Sequence, residues 1–179
     1  FVPLCCVCSN VINLSLNRAR ADGTFSHGCK VLLELVRNWA NTDRLVVADS
    51  YFASVQTALR LKEIGLRFIG TVKTAHKGFP MNYLSRVELV NGKGDFESLI
   101  HKDEESGTSV MATAWVDRDR KFFVSTGSSV APGNNIRRFR WRQVSKQANA
   151  DPKRMNIRIP QPELVQLYYD SCAMIDRHN

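Results

Sequence analysis

The chain has 179 residues, 44% of them hydrophobic, and a net charge of +8 at pH 7. This length can bury the core of one domain rather than two. The composition is that of a globular protein. Because no apolar run reaches the roughly 18–20 residues of a membrane-spanning helix, we expect no membrane partner.

The first half of the chain predicts alternating strands and helices. Val11–Asn17 alternates apolar and polar residues, as a strand with one wet face does. His27–Trp39 has apolar residues at helical spacing, and Ser26 precedes it as an N-cap candidate. Arg44–Ala48 predicts a buried strand, which Asp49 follows directly. A carboxylate there would stand at the carboxyl edge of a sheet, where open α/β folds bind ligands.

Asp49 has a second possible role, because a residue between a strand and a helix can also cap that helix. Ser50 and Ser54 are alternative caps. The helix predicted at 54–64 ends before Gly65, which suits the left-handed position after a helix. Leu66–Val72 predicts the next strand.

The second half of the chain is less regular. The range 74–110 is polar and weakly periodic, which predicts an insertion or a long loop. Val110–Val116 and Lys121–Ser125 predict a hairpin, and Glu163–Asp176 predicts a helix that is entered through prolines.

Positive charge is concentrated in the segment 136–158, which has eight basic residues against one acidic residue, Asp151. On an extended strand, Arg138, Arg140 and Arg142 would share one face, and the aromatic residues between them would share the other. Such a strand could contact nucleic-acid phosphates, or it could be a solvated edge strand anchored by its aromatic side chains. The candidate nucleic-acid-binding residues are Arg137, Arg138, Arg140, Arg142, Lys146, Lys153 and Arg154.

Two stretches, in this order, resemble the DDE transposase domain of the piggyBac family. The first runs D-S-Y-F-A-S from Asp49 and leads, through a helix, to a strand ending in G-T-V-K at Lys73. In that family a D-N-x-F-x-S-type motif holds the second catalytic Asp. The second stretch runs from Ile159 through Tyr168-Tyr169 to Asp176. Its family counterpart has a proline, a helix and then the third catalytic Asp.

The resemblance implies an RNase H-like α/β core with an insertion, truncated at both ends, with residues 1–179 as one partial domain. It implies that Asp49 and Asp176 are catalytic and bind two Mg²⁺ ions, so their carboxylates should approach one another. It further implies DNA as the partner, a possible homodimer and a nuclear location.

Departures from the family pattern predict that the chain is inactive by itself. Ser50 replaces the commoner Asn, and Met174 replaces Gly. No Asp precedes Asp22, which lies in a turn signal, so the first catalytic carboxylate is expected upstream of Phe1. The chain also ends at Asn179, shortly after the presumed third carboxylate. We therefore expect a remnant of a metal-dependent transposase.

Two alternatives remain open. A domesticated protein could keep DNA or chromatin binding through the basic segment without the chemistry. An unrelated α/β enzyme could bind nucleotides, but the sequence has neither a G-x-x-x-x-G-K-[ST] nor a G-x-G-x-x-G loop. The crowded Cys5, Cys6 and Cys8 lack the separated pairs of a zinc site, and we expect buried thiols in a reducing compartment.

Overall fold

The computed structural model describes residues 25–73, 78–102, 107–142 and 153–176. The helices are α1 (His27–Val36), α2 (Val55–Glu63), α3 (Met81–Arg86) and α4 (Glu163–Asp176), and a 3₁₀ turn at Arg37–Trp39 follows α1. The strands are β1 (Leu45–Ala48), β2 (Arg67–Val72), β3 (Phe96–Lys102), β4 (Ser109–Val116), β5 (Arg120–Ser125), β6 (Ile136–Arg142) and β7 (Lys153–Ile159). The predicted strand Val11–Asn17, the turn residue Asp22, the cysteines Cys5, Cys6 and Cys8, and Lys146 lie outside the described residues.

In the part of the chain that the structure describes, the main sheet has five strands in the order β1-β2-β5-β4-β3. β1 and β2 are parallel, with Ala48 opposite Gly70. All other neighbours are antiparallel, so β2 is the strand at which the sheet changes from one pairing to the other. The strands β6 and β7 form a separate two-stranded antiparallel ribbon.

Helices α1, α2 and α3 cover one face of the sheet. Their buried side chains, among them Leu32, Leu61 and Leu84, pack against Phe68 and Val124 of the strands. The apolar spacing seen in the sequence therefore forms the contact between helices and sheet, where burial contributes about 25 cal/mol for each Å² removed from water.

The opposite face of the sheet packs against α4 and the end of β7. Trp115 and Phe123 of the sheet are fully buried beside Ile159, Leu164 and Val165. The indole N–H of Trp115 donates to the carbonyl of Pro160 at 3.0 Å, which satisfies its polar group inside this second core.

Local signals for the ends of α1 and α2 are confirmed. Ser26 and Ser54 accept from backbone N–H groups in the first turns of α1 and α2. Gly65 has a φ of 71°, and its N–H bonds to the carbonyl of Lys62 while the N–H of Leu66 bonds to that of Leu61. This paired arrangement ends α2 and needs a residue that tolerates positive φ.

The range 74–110 contains α3 and β3 where described, so a long loop is wrong for those residues. β3 pairs along its whole length with β4. Arg120 of β5 connects the sheet to the C-terminal end of α3. Its guanidinium donates to the carbonyls of Leu84 and Val87 at 2.7 and 2.9 Å. The predicted hairpin of β4 and β5 is confirmed.

Within the described ranges, every helix is too short or too polar to cross a lipid bilayer.

Candidate functional site

Asp49 lies at the carboxyl end of β1 with its side chain exposed to solvent. Its Oδ1 accepts from the backbone N–H of Tyr51 at 3.0 Å. Its carbonyl accepts from the N–H groups of Phe52 and Ala53. Because Ser54 caps α2, Asp49 does not serve as the N-cap of that helix. The carboxylate instead stabilises a turn at the sheet edge while remaining open to solvent.

Two glycines bring neighbouring elements against this turn. A Cβ on Gly28 of α1 would lie 2.4 Å from the carbonyl oxygen of Tyr51, and one on Gly70 of β2 would lie 2.5 Å from the Cβ of Ala53. The hydroxyl of Thr57 also donates to the carbonyl of Phe52 at 2.8 Å. The turn after Asp49 is therefore fixed from α1, α2 and β2 together.

Helix α4 runs toward this edge of the sheet. Its start lies beside the loop after β5, because the N–H of Leu164 donates to the carbonyl of Ser129. That loop begins near the start of β2, where the N–H of Thr126 donates to the carbonyl of Phe68. Further along, the Tyr168 hydroxyl lies 3.3 Å from that of Thr71, near the end of β2. α4 therefore follows the direction of β2, whose carboxyl end adjoins Asp49.

Asp176 is the last residue of α4, as predicted from the sequence, but its side chain lies outside the described part of the structure. Its approach to Asp49 stays a prediction. Among the described residues, no group of three His, Cys, Asp or Glu side chains could hold a metal ion. Asp49 suits one position in a magnesium site, because its carboxylate is exposed and Mg²⁺ prefers oxygen ligands.

The described parts of the basic segment lie in β6 and β7, and two of its arginines bind one carboxylate. Arg138 Nε lies 3.1 Å from Asp117 Oδ2, and Arg140 Nη2 lies 2.7 Å from Asp117 Oδ1. The Arg138 guanidinium also lies over the ring of Tyr169 of α4, 5.0 Å from its centroid. We call Asp117, Arg138, Arg140 and Tyr169 the arginine cluster. It joins the β4–β5 hairpin, the ribbon and α4.

The electrostatics of the arginine cluster follow from its burial. The Asp117 side chain is 11% exposed, and those of Arg138 and Arg140 are 28% and 32% exposed. With two guanidinium groups on one carboxylate, a positive charge remains. Burial raises the pKa of the Tyr169 hydroxyl, although Arg138 opposes that rise and Asp117 adds to it.

The predicted alternation of β6 is confirmed where its side chains are described. Arg138 and Arg140 share the inner face, where they meet Asp117. Phe139, on the opposite face, is 56% exposed, and the alternative in which the aromatic residues anchor the strand stays open.

Not all predicted basic residues can be placed with their side chains. Arg137 is exposed. The backbones of Arg142, Lys153 and Arg154 lie in the ribbon, but their side chains are outside the described part. The sequence did not single out Asp117 or Gly28. Asp117 had the pattern of a turn residue, and its partners lie more than 20 residues away.

Comparison with known proteins identifies a family. A family model described as transposase IS4 matches residues 4–179. Among solved structures, the chain is similar to the piggyBac transposase in a cryo-EM structure of its synaptic complex with hairpin DNA. The TM-score is 0.57 at 16% identity, and the match covers 90% of this chain and 28% of that one. No curated protein matches the chain.

The family model spans both of the motifs, around Asp49 and Asp176, that carried the resemblance. This confirms the predicted family, and the structural similarity confirms the predicted fold class. The chain therefore belongs to the transposase IS4 family, among the piggyBac-type DDE transposases, and has an RNase H-like α/β fold.

Proposed function

We propose that the chain supplies part of the active site of a metal-dependent DNA transposase, with Asp49 and Asp176 as metal-binding carboxylates. The observation that supports this most is the course of α4. This helix follows β2 toward the edge where the exposed Asp49 stands, and it ends in Asp176. Carboxylates on a strand end and on a helix crossing the same sheet can share a cation.

Neighbouring residues of the chain position the Asp49 carboxylate. The turn held between Gly28 and Gly70 fixes the backbone of Asp49, and the Tyr51 N–H fixes one of its oxygens. A bound pair of divalent cations would activate the attacking hydroxyl and stabilise the leaving oxygen in a displacement at phosphorus. Asp49 would contribute negative charge and an oxygen ligand for this purpose.

We further infer that this 179-residue chain does not cleave or join DNA by itself. The resemblance assigns two carboxylates within the chain, whereas the parent chemistry uses three. Loss of one ligand removes charge and geometry from a two-metal site, and each lost 1.4 kcal/mol of stabilisation costs about tenfold in rate.

The test uses supercoiled plasmid with Mg²⁺ or Mn²⁺. We expect no nicking by the purified chain and none by an Asp49→Asn variant. Nicking by the wild type that is lost in Asp49→Asn would overturn the inferred inactivity, while it would support the role of Asp49. Nicking that is equal in both proteins would indicate a contaminating nuclease, and the preparation would be repeated with a purified Asp176→Asn variant as a second control.

A second candidate is a non-catalytic protein that binds DNA or chromatin, and the basic ribbon favours it. DNA as the partner is also supported by the similar transposase, which was solved with hairpin DNA. DNA binding that survives Asp49→Asn and needs no divalent cation would favour this candidate.

The family also suggests a nuclear location and a homodimer, which we propose for this chain. Imaging of a tagged chain would test the first, and sedimentation with and without DNA would test the second.

A further inference from the structure

The outer face of the β6–β7 ribbon presents exposed arginines beside an exposed aromatic ring. In the ribbon register Arg137 pairs with Arg158, and Phe139 pairs with Asn156. All four are exposed to solvent, whereas Arg138 and Arg140 on the inner face are partly buried. No acidic residue occupies this outer face between Ile136 and Phe139 or between Asn156 and Ile159.

The pairing of Arg137 with Arg158 carries a cost. Like charges directly opposite one another in an antiparallel pair repel and destabilise the ribbon. Within the described ranges neither residue has an acidic partner in an ion pair, in contrast to Arg138 and Arg140. An anion between the two guanidinium groups would relieve this repulsion, and a phosphate accepts hydrogen bonds from both.

Phe139 gives the same face a second kind of contact. It is 56% exposed and stands next in line to the Arg137–Arg158 pair, on the same side of the ribbon. A base that is paired and stacked in a duplex offers no free face to a phenyl ring. An unpaired base does, and stacking on aromatic side chains is a principal means of binding single strands.

We propose that this outer face binds single-stranded DNA, with Arg137 and Arg158 on one phosphate and Phe139 stacked on an adjacent unpaired base. The inference rests on the proposed DNA-related function and deepens it, because it names the form of DNA. It also separates two roles within β6. The inner arginines hold the ribbon to the β4–β5 hairpin through Asp117, and the outer residues contact the nucleic acid.

The test measures fluorescence anisotropy of labelled oligonucleotides over a salt series. The probes are a mixed-sequence single strand and the duplex of the same length. The variants are Phe139→Ala and the double variant Arg137→Ala/Arg158→Ala. Matched controls are Tyr83→Ala and Arg86→Ala, an exposed aromatic and an exposed arginine on α3. Circular dichroism and thermal melting confirm that each variant is folded.

We expect Phe139→Ala to bind the single strand roughly tenfold more weakly. Its duplex affinity should be unchanged, and so should the salt slope, which is the slope of the logarithm of the binding constant against the logarithm of the salt concentration. The double arginine variant should flatten the single-strand salt slope by about 0.7, for the one phosphate lost. The controls should match the wild type.

Equal single-strand affinity of the wild type and Phe139→Ala would overturn the stacking contact. An equal loss on single strand and duplex would overturn the preference for unpaired bases. A wild type that binds neither probe would overturn both this inference and the proposed DNA function. Duplex binding without any effect of Phe139 would overturn this inference alone.

Discussion

At the scale of single residues, the position of Asp49 depends on a neighbour that contributes no side chain. Gly28 is the second residue of α1, and glycine is a weaker helix former than alanine. The close approach of the Tyr51 carbonyl to Gly28 explains why the helix carries it. Local helix stability is given up so that the turn after Asp49 can pack against α1.

Replacing Gly28 by alanine should therefore lower stability, although alanine favours helices. The added methyl would meet backbone rather than a flexible side chain, so we expect a loss of about 2 kcal/mol in the free energy of unfolding. Urea denaturation measures it. Lys62→Ala, at an exposed position in α2, should stay within about 0.5 kcal/mol of the wild type. A stabilised Gly28→Ala protein would contradict the close packing.

Tyr169 should make stability sensitive to alkaline pH. Burial raises its pKa above the ordinary value of 10.0, so the folded state retains the proton more strongly than the unfolded state. This contribution is complete below about pH 10, the unfolded pKa, and is lost as the pH rises through the higher folded pKa. Denaturation midpoints measured from pH 8 upward should fall less steeply for Tyr169→Phe, which keeps the ring and cannot ionise. If the midpoints of the wild type and Tyr169→Phe fell in parallel with pH, ionisation of Tyr169 would not contribute to the loss of stability.

At the scale of elements, the arginine cluster connects parts of the chain that are distant in sequence. Asp117 lies in the turn between β4 and β5, the two arginines belong to β6, and the Tyr169 ring that Arg138 covers belongs to α4. Among the described strands, none of the main sheet pairs with the ribbon, so these side chains and the adjoining apolar contacts help to hold it in place.

Asp117→Asn should loosen the ribbon. The change leaves two partly buried guanidinium groups without their counter-ion, and we expect a loss of about 2 kcal/mol in the free energy of unfolding. A double-mutant cycle with Arg140→Gln isolates the ion pair, because the second change should cost much less in the Asp117→Asn background. Fully additive costs would show that Asp117 and Arg140 do not stabilise one another.

Secondary structure was predictable where its signals were local. Ser54, Gly65 and the apolar run before Asp49 each act within a few residues, so α2 and β1 could be predicted. β3 could not, because its side chains are mostly exposed or half-buried and it is held as a strand by pairing with β4. The partnership of Asp117 with β6 and the direction of α4 depend on tertiary packing, which no local pattern contains.

At the scale of the whole molecule, the net charge of +8 favours DNA binding without sequence preference. The logarithm of the binding constant for duplex DNA should fall with the logarithm of salt, by about 0.9 for each phosphate neutralised. Filter binding over a salt series measures this slope.

Replacing Arg138, Arg140 and Arg142 together by alanine tests how many of them reach phosphate. Three phosphate contacts would flatten the slope by roughly two to three units. Because Arg138 and Arg140 are paired with Asp117, we expect about one unit. A change of two to three units would show that DNA displaces Asp117 from both arginines.

The change of pairing at β2 also has a consequence for synthesis of the chain. One edge of β2 pairs with β1, which is synthesised earlier. The other edge pairs with β5, which begins about 50 residues later in the chain. At about 5–20 residues per second, β2 is complete for several seconds before its second partner exists. During that interval an apolar strand presents unpaired backbone groups, and it can pair with a neighbouring nascent chain. Ribosomes that synthesise this protein in close succession should therefore yield more aggregate than widely spaced ones.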